Sequence, residues 1–364
     1  RVWLSRTLGA EIMGIAELCS GIHLFAITPL TSGLPIAVSR LTSKAAPEAR
    51  SLPLLAGISI VRILSALLIP LLLLCSPLIA TLVGDTRVLP SLWMTAPCIL
   101  ILGYSAVYNG YCYGVERSGL PAASELIEQC VRIVLCVALI RGLSRLASAW
   151  LAAVPVFATM LAEICGLIFV LGKLRLPTQT DHSLSAARSS VIRLAVPTTV
   201  TRLVNTGLRS VTAILIPLRL QASGLPAVEA TSRLGMLNGM VMPIVMLPCI
   251  FTSALAMVSL PKLAQAEHDR QALGRLLRVM LIAALAVALG CSALVWFAAP
   301  FLANAVYRLA ELKPLFQASA PLVLLSALSH ITNGILGGLG KQKQAMYRKA
   351  FGYGPRYPPS RARW

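Results

Sequence analysis

Charged residues, acidic ones above all, are scarce in this sequence. Only 12% of its 364 residues are Asp, Glu, Lys or Arg and 57% are hydrophobic, whereas soluble domains carry about 25% charged residues. The 13 acidic residues face 32 Lys and Arg, a net charge of +19. In a soluble chain this excess would suggest nucleic-acid binding, but most of it falls between long apolar runs. We therefore predict a membrane protein that binds no nucleic acid.

The sequence also lacks the motifs of a disulfide framework, a metal site or a nucleotide-driven pump. Its nine cysteines are scattered singly through apolar segments, without a Cys-x-x-Cys pair or a histidine at ligand spacing. It contains no Gly-x-x-x-x-Gly-Lys-Ser/Thr loop, so no ATPase domain of that type lies on this chain. No enzymatic constellation stands out, and we expect neither catalysis nor a bound cofactor.

Long apolar runs dominate the rest of the sequence. A bilayer core of about 30 Å needs about 20 apolar residues in a helix, and we count nine full spans of this kind. None alternates apolar and polar residues, so we predict an all-α polytopic protein. The spans are 12 to 37, 52 to 80, 92 to 114, 123 to 140, 149 to 172, 192 to 218, 235 to 260, 276 to 302 and 316 to 339.

The connecting segments alternate between many and few basic residues. Because cytoplasmic loops are enriched in Lys and Arg, we predict that the basic segments and the C-terminus face the cytoplasm. The short turn at 115 to 122 belongs to the basic set by its place in the alternation but has few basic residues. The basic segments are 38 to 51, 173 to 191, 261 to 275 and 340 to 364.

An internal repeat runs through the chain. Its strongest match keeps one offset of 224 residues at four positions, and two weaker matches have offsets of 221 and 223. An offset of six helices preserves direction through the membrane, so the halves are expected to be parallel repeats related by an axis along the membrane normal. The four pairs are Pro97 with Pro321, Asn109 with Asn333, Gly110 with Gly334 and Gly114 with Gly338.

The repeat also predicts where the two halves of the chain begin and end. It pairs the span 192 to 218 with a helix before residue 1, and it calls for a further helix near Tyr347, where the sequence is rich in Pro and Arg. We therefore expect a chain truncated at both ends, although a natural basic tail is the alternative. The expected parts are an N-terminal bundle 1–174, a cytoplasmic linker 175–191, a C-terminal bundle 192–345 and a non-native or disordered tail 346–364.

Five segments together carry a family resemblance that extends to about Ala345. They resemble the branch of the multidrug/oligosaccharidyl-lipid/polysaccharide (MOP) flippase superfamily that contains stage V sporulation protein B and the polysaccharide transporters. The resemblance implies a bacterial plasma-membrane protein in which two six-helix bundles around a central cavity carry lipid-linked glycan precursors outward by alternating access. The segments are LSRTLGAEIMGIAEL, TSGLPIAVSRLTSKA, GYCYGVERSGLPAASELIEQCVRI, IPLRLQASGLPAVEATSRLGMLNGM and ILGGLGKQKQA.

Arginines within the spans are the candidate ligands for a phosphate-bearing headgroup. A guanidinium offers forked donors and keeps its charge. Arg202, Asn205 and Arg209 lie at i, i+3 and i+7, which predicts one polar stripe on a helix. Snorkelling to the interface or pairing with an acid is the alternative for these arginines, and it is equally open for Arg62. Arg132 is the remaining intramembrane arginine.

Two acids and one amide complete the candidate cavity residues. Glu128 precedes Arg132 by four residues, the favourable order for a local ion pair, so a structural pair and a substrate or proton role both remain open. Glu163 is either a proton-titrating group or the partner of an arginine. Asn109 recurs as Asn333, and helix packing through an interhelical hydrogen bond is the alternative to contact with a ligand.

The predicted function is a flippase or exporter of lipid-linked oligosaccharide or peptidoglycan precursors. Its partners would be that glycan lipid and the membrane lipids, with transport driven by the membrane potential, Na⁺ or H⁺. We expect a monomer, although the sequence does not set the oligomeric state. The alternatives are an ion-coupled multidrug extruder, which predicts an acid-lined cavity, and an inactive remnant.

Overall fold

A computed structural model of the chain describes residues 2–143, 145–174, 184–252 and 270–338. Every regular element within these ranges is helical, which confirms the all-α prediction. The first six helices are α1 (Val2–Thr31), α2 (Gly33–Lys44), α3 (Ser51–Val83), α4 (Leu89–Gly114), α5 (Gly119–Gly142) and α6 (Ser148–Lys173). The others are α7 (Leu184–Ala222), α8 (Ala227–Leu234), α9 (Met242–Val245), α10 (Arg270–Phe301) and α11 (Leu312–Gly338), with π-helical turns at Gly235–Val241 and Leu302–Tyr307.

Six helical segments are long and apolar enough to cross a membrane, so the chain is a multi-pass membrane protein. The predicted spans at 123 to 140 and 192 to 218 lie within the continuous helices α5 and α7 but are not among these six. The predicted span at 235 to 260 is described only as far as residue 252. The six segments are Val2–Lys44, Pro47–Val83, Thr86–Gly114, Ser148–Lys173, Leu273–Tyr307 and Leu312–Ser329.

The first long segment bends where α1 and α2 meet at Ser32. Pro29 lies inside the end of α1, and Pro35 lies at the third position of α2. Proline has no backbone N–H to donate, and membrane helices accommodate such a break where neighbouring helices or polar side chains satisfy the freed carbonyls. The bend therefore interrupts the backbone hydrogen bonds of the helix, close to several side chains that carry hydroxyl groups.

Contacts group the chain into two compact units, one of Trp3–Gly239 and one that begins at Met240. Helix α7, which was predicted for the second bundle, packs against α2 and α3 in the first unit. Residues 175–183 of the predicted linker, and the whole predicted tail 346–364, lie outside the described residues. The bundle boundaries inferred from the repeat stay a prediction.

The core of the first unit joins α1 to α2, α3 and α4. Leu30, Val61 and Ile99 are fully buried within it. Helix α4 approaches α2 closely, because Gly110 has no side chain: a Cβ there would stand 2.5 Å from the Pro35 carbonyl oxygen. The repeated Asn-Gly pair therefore lies, in the first half, at a close contact between helices.

The second unit contains α10 packed against α11. The hydroxyl of Ser292 on α10 donates to the Ala320 carbonyl of α11 at 2.8 Å, and the Tyr307 hydroxyl donates to the Met240 carbonyl at 2.9 Å. Arg308, after the second π-helical turn, has a left-handed backbone with φ 58°. Gly84, which ends α3 in the first unit, has φ 76°. These two turns are 224 residues apart, the offset of the sequence repeat, so the repeat extends to local backbone geometry.

Candidate functional site

A cleft of about 1030 Å³ opens in the first unit between α1–α2 and α7. It follows the bend at Ser32, where the interrupted helix presents short polar side chains. The residues that line it are Leu24, Thr28, Thr31, Ser32, Pro35, Ile36, Ser39, Arg40, Tyr113, Thr201, Arg202, Asn205, Thr206 and Arg209.

All the charged side chains among the described residues that line this cleft are arginines. Arg40 comes from α2, and Arg202 and Arg209 come from α7; all three are exposed. The lining contains no acidic residue, and none of the three arginines forms an ion pair with a carboxylate in the described part of the chain. Their guanidinium donors are therefore available to an anion that enters the cleft.

The hydroxyl and amide groups of the lining supply acceptors. The hydroxyls of Thr31, Thr201 and Thr206 donate to carbonyls one turn earlier in their own helices, and the amide of Asn205 does the same at 3.0 Å. A hydroxyl whose proton is engaged in this way keeps its oxygen lone pairs for a ligand donor. The cleft thus combines cationic donors with neutral acceptors of the kind that sugar hydroxyls require.

Direct contacts with α1 and α2 fix the position of the polar stripe on α7, which consists of Arg202, Asn205 and Arg209. Gly33 lies against α7, where an added Cβ would stand 2.2 Å from the Ala195 carbonyl oxygen. Further along, the Ser210 hydroxyl donates to the Gly21 carbonyl at 2.7 Å. The stripe therefore runs along a wall whose spacing from α1–α2 is set by backbone contacts.

The structure brings three of the predicted residues together in the cleft, Arg202, Asn205 and Arg209. It adds Arg40, which sequence reasoning had counted only as a loop charge, and Tyr113. Arg62 is exposed on α3 and does not line the cleft. The roles of these residues stay predictions, but the geometry separates Arg62 from the other arginines.

Glu128 belongs to a different group, between α5 and α6. Its side chain is buried, with the residue 7% exposed, and its carboxylate accepts a hydrogen bond from the Ser124 hydroxyl at 2.7 Å. The ion pair with Arg132 suggested by their spacing is not formed among the described side chains. Gly166 of α6 leaves room for the carboxylate, since a Cβ there would stand 2.1 Å from Glu128 Oε1.

Glu163 and Asn109 extend this group toward α4. Glu163 of α6 lies close enough to Glu128, Arg132 and Ser105 to interact with them. The Asn109 amide reaches the Ser105 hydroxyl at 3.5 Å within α4. None of these residues lines the cleft. Apart from Arg62, the predicted cavity residues therefore fall into a cationic set in the cleft and a mixed set packed between α4, α5 and α6.

The contact between Glu128 and Gly166 predicts a measurable coupling. Gly166→Ala should lower the free energy of unfolding by about 1 to 3 kcal/mol, because the new methyl group overlaps the enclosed carboxylate. With Glu128→Ala already present, the same change should cost at least about 0.5 kcal/mol less. Denaturant titration of the four proteins in detergent gives the coupling.

Gly172→Ala, on the same helix with open space around it, serves as the control and should not destabilise. Equal effects of Gly166→Ala with and without Glu128 would contradict the contact.

Sequence comparison links the chain to proteins of polysaccharide biosynthesis. A sequence model of the family described as polysaccharide biosynthesis protein matches residues 1–267. Stage V sporulation protein B of Bacillus subtilis (strain 168) is 25% identical over an alignment of 285 residues that covers 74% of this chain and 55% of that protein. The chain thus spans about half the length of the curated relative it matches.

The fold is similar to that of solved multidrug transporters. An inward-facing MATE family transporter of the MOP superfamily aligns with a TM-score of 0.69 at 16% identity, covering 95% of this chain and 84% of that one. The MATE transporter DinF-BH aligns at 0.64 and 15% identity, covering 95% and 79%. An outward-facing MATE family transporter aligns at 0.54 and 15%, covering 96% and 76%. Identities this low show a shared fold.

Proposed function

Because a family model covers residues 1–267, the chain belongs to the polysaccharide biosynthesis protein family, and we propose that it moves lipid-linked saccharides across the bacterial plasma membrane by alternating access. The observation that carries the proposal is the cleft with Arg40, Arg202 and Arg209 and no acid in its lining. Homology to membrane transporters supports transport rather than catalysis.

The lining matches the three chemical parts of such a substrate. The phosphate that joins lipid to sugar needs charged donors to replace its water, and forked guanidinium groups supply them. The threonine and asparagine oxygens suit sugar hydroxyls, and Tyr113 offers an aromatic face. Leu24 and Ile36, which are 42% and 53% exposed, offer apolar surface to a hydrocarbon tail that remains in the bilayer.

The energy source follows from the charge of the headgroup. A membrane potential that is negative inside drives an anion outward, with about 2.3 kcal/mol per charge for each 100 mV. We propose that the potential contributes in this way and that Na⁺ or H⁺ coupling, if present, acts outside the cleft. The proposal includes nine membrane spans and places the Arg40 end of the cleft on the cytoplasmic side, where basic loops are enriched.

An ion-coupled multidrug extruder is the second candidate, and the fold neighbours favour it because they are multidrug transporters. A cationic drug would require acidic or aromatic partners in the cleft. The cleft offers a cation only Tyr113 among its described lining residues, with three arginines and no acid, so we rank this candidate below the flippase.

Reconstituted vesicles distinguish the candidates. The chain is incorporated into proteoliposomes with an undecaprenyl-diphosphate disaccharide that carries a fluorophore on its sugar, and an impermeant reductant bleaches the outer leaflet. We expect bleaching beyond the half that protein-free vesicles show. Efflux of a cationic dye without lipid bleaching would favour the extruder, and neither activity would favour the inactive remnant; both outcomes contradict the proposal.

A further inference from the structure

An ion-paired cluster lies where α3 turns into α4. Asp85 caps the short 3₁₀ turn at Thr86–Val88 by accepting a hydrogen bond from the Arg87 backbone N–H at 3.0 Å. The Arg87 guanidinium binds the same carboxylate through two nitrogens, at 2.9 and 2.7 Å. Its remaining nitrogen pairs with Glu11 of α1. Asp85 is the most enclosed member, with its side chain 5% exposed.

Helix α8 is attached to this cluster. The Thr231 hydroxyl lies 3.5 Å from the Asp85 carboxylate. The backbones of α8 and α1 also come into close contact: a Cβ on Gly14 would stand 1.9 Å from the Thr231 carbonyl oxygen, and one on Gly235 would stand 2.1 Å from the Ala10 carbonyl oxygen. Glycine permits such an approach, and polar contacts then fix its register.

This attachment lies beyond one end of the cleft. The cleft-lining part of α1 begins at Leu24. Towards the N-terminus from that residue, α1 is covered first by Ser210 of α7 and then by Thr231 of α8. For a headgroup that enters beside Arg40 to leave along α1 at the other end, α8 and α7 must separate from α1 there.

We propose that Glu11, Asp85 and Arg87 form a latch that holds α8 on α1 and closes the end of the cleft opposite Arg40. Its role in transport rests on the proposed function, but its opening can be measured without any substrate. Glu11 and Asp85 both bind the Arg87 guanidinium, which keeps the Asp85 carboxylate in place. That carboxylate in turn accepts the hydrogen bond from the Thr231 hydroxyl of α8. Loss of one link should weaken the contact between α1 and α8 while the rest of the first unit stays packed.

Hydrogen–deuterium exchange of the full chain in nanodiscs tests the latch. Asp85→Asn removes the charge that joins Arg87 to α8. We expect exchange about tenfold faster in peptides from residues 10–20 and 227–239, since a hydrogen bond to a charged group is lost and local opening governs exchange. Thr231→Val, which keeps shape and removes only the hydroxyl, should give about a threefold increase in the same peptides.

Glu229→Gln provides the matched control. It breaks the exposed pair with Arg233 on α8, at 3.0 Å, and leaves the latch intact, so exchange should change by less than about twofold. Exchange unchanged in both Asp85→Asn and Thr231→Val would overturn the proposal. So would an equal increase in peptides from α4, α5 and α6, because that result would mean general destabilisation. Neither outcome depends on which substrate the chain carries.

Discussion

Replacing Arg202 and Arg209 together by alanine should reduce flipping of the fluorescent disaccharide lipid by about 100-fold or more. Each guanidinium that binds phosphate contributes a charged hydrogen bond worth about 1.5 to 3 kcal/mol, and each 1.4 kcal/mol is about tenfold. Both side chains line the cleft on one face of α7, and no acid among the described lining residues competes with an anion for them. Vesicle bleaching rates, normalised to protein content, give the measurement.

Two further variants test whether the rate depends on the forked guanidinium groups or on charge alone, and whether it depends on arginines inside the cleft. Lysine at both positions should restore part of the rate, because it keeps the charge and loses the forked geometry. Arg62→Ala removes an exposed arginine that is absent from the cleft lining and should keep the rate within about twofold. A normal rate in the double alanine variant, or an equal loss in Arg62→Ala, would contradict headgroup binding in this cleft.

The substitution Gly110→Ala should destabilise the first unit by about 1 to 3 kcal/mol. The added Cβ would stand 2.5 Å from the Pro35 carbonyl oxygen and 2.7 Å from Pro35 Cα. Both atoms are backbone, so α2 itself must move away from α4, and no rotamer change can relieve the overlap. The midpoint of thermal unfolding in detergent should fall accordingly.

Gly290→Ala is the control for this substitution. Gly290 lies mid-helix in α10 with nothing near the position of a Cβ, so alanine there should be neutral or stabilise by up to about 1 kcal/mol through helix propensity. If the two substitutions had equal effects, the close contact between α2 and α4 would not exist in the folded protein.

The sequence predicted the helical membrane architecture and the polar stripe because both depend on local spacing. Residues at i, i+3 and i+7 share a face on any helix, so Arg202, Asn205 and Arg209 point the same way whatever surrounds α7. Arg40 was assigned to a loop because the apolar run stops at residue 37, yet α2 continues to Lys44. A helix that extends beyond its hydrophobic stretch leaves no signal in hydropathy alone.

The contacts that were missed depend on chain segments far apart in sequence. The spacing of Glu128 and Arg132 favours a local pair, but the room that Gly166 leaves on the next helix admits the Glu128 carboxylate. Glu11 pairs with Arg87, which is 76 residues away. Only the packing of helices brings such groups together, and a single sequence carries no periodicity that records it.

The break at Ser32 separates the helix that carries Glu11 from the helix that carries Arg40. A continuous rigid helix would act as a rod, and any tilt that released Glu11 from Arg87 would swing Arg40 by a comparable angle. Two helices joined by a break between prolines can instead change their angle to one another at that break. In the proposed transport cycle, the helix that carries Arg40 can therefore stay bound to the headgroup while the helix that carries Glu11 moves, so binding and release need not be simultaneous.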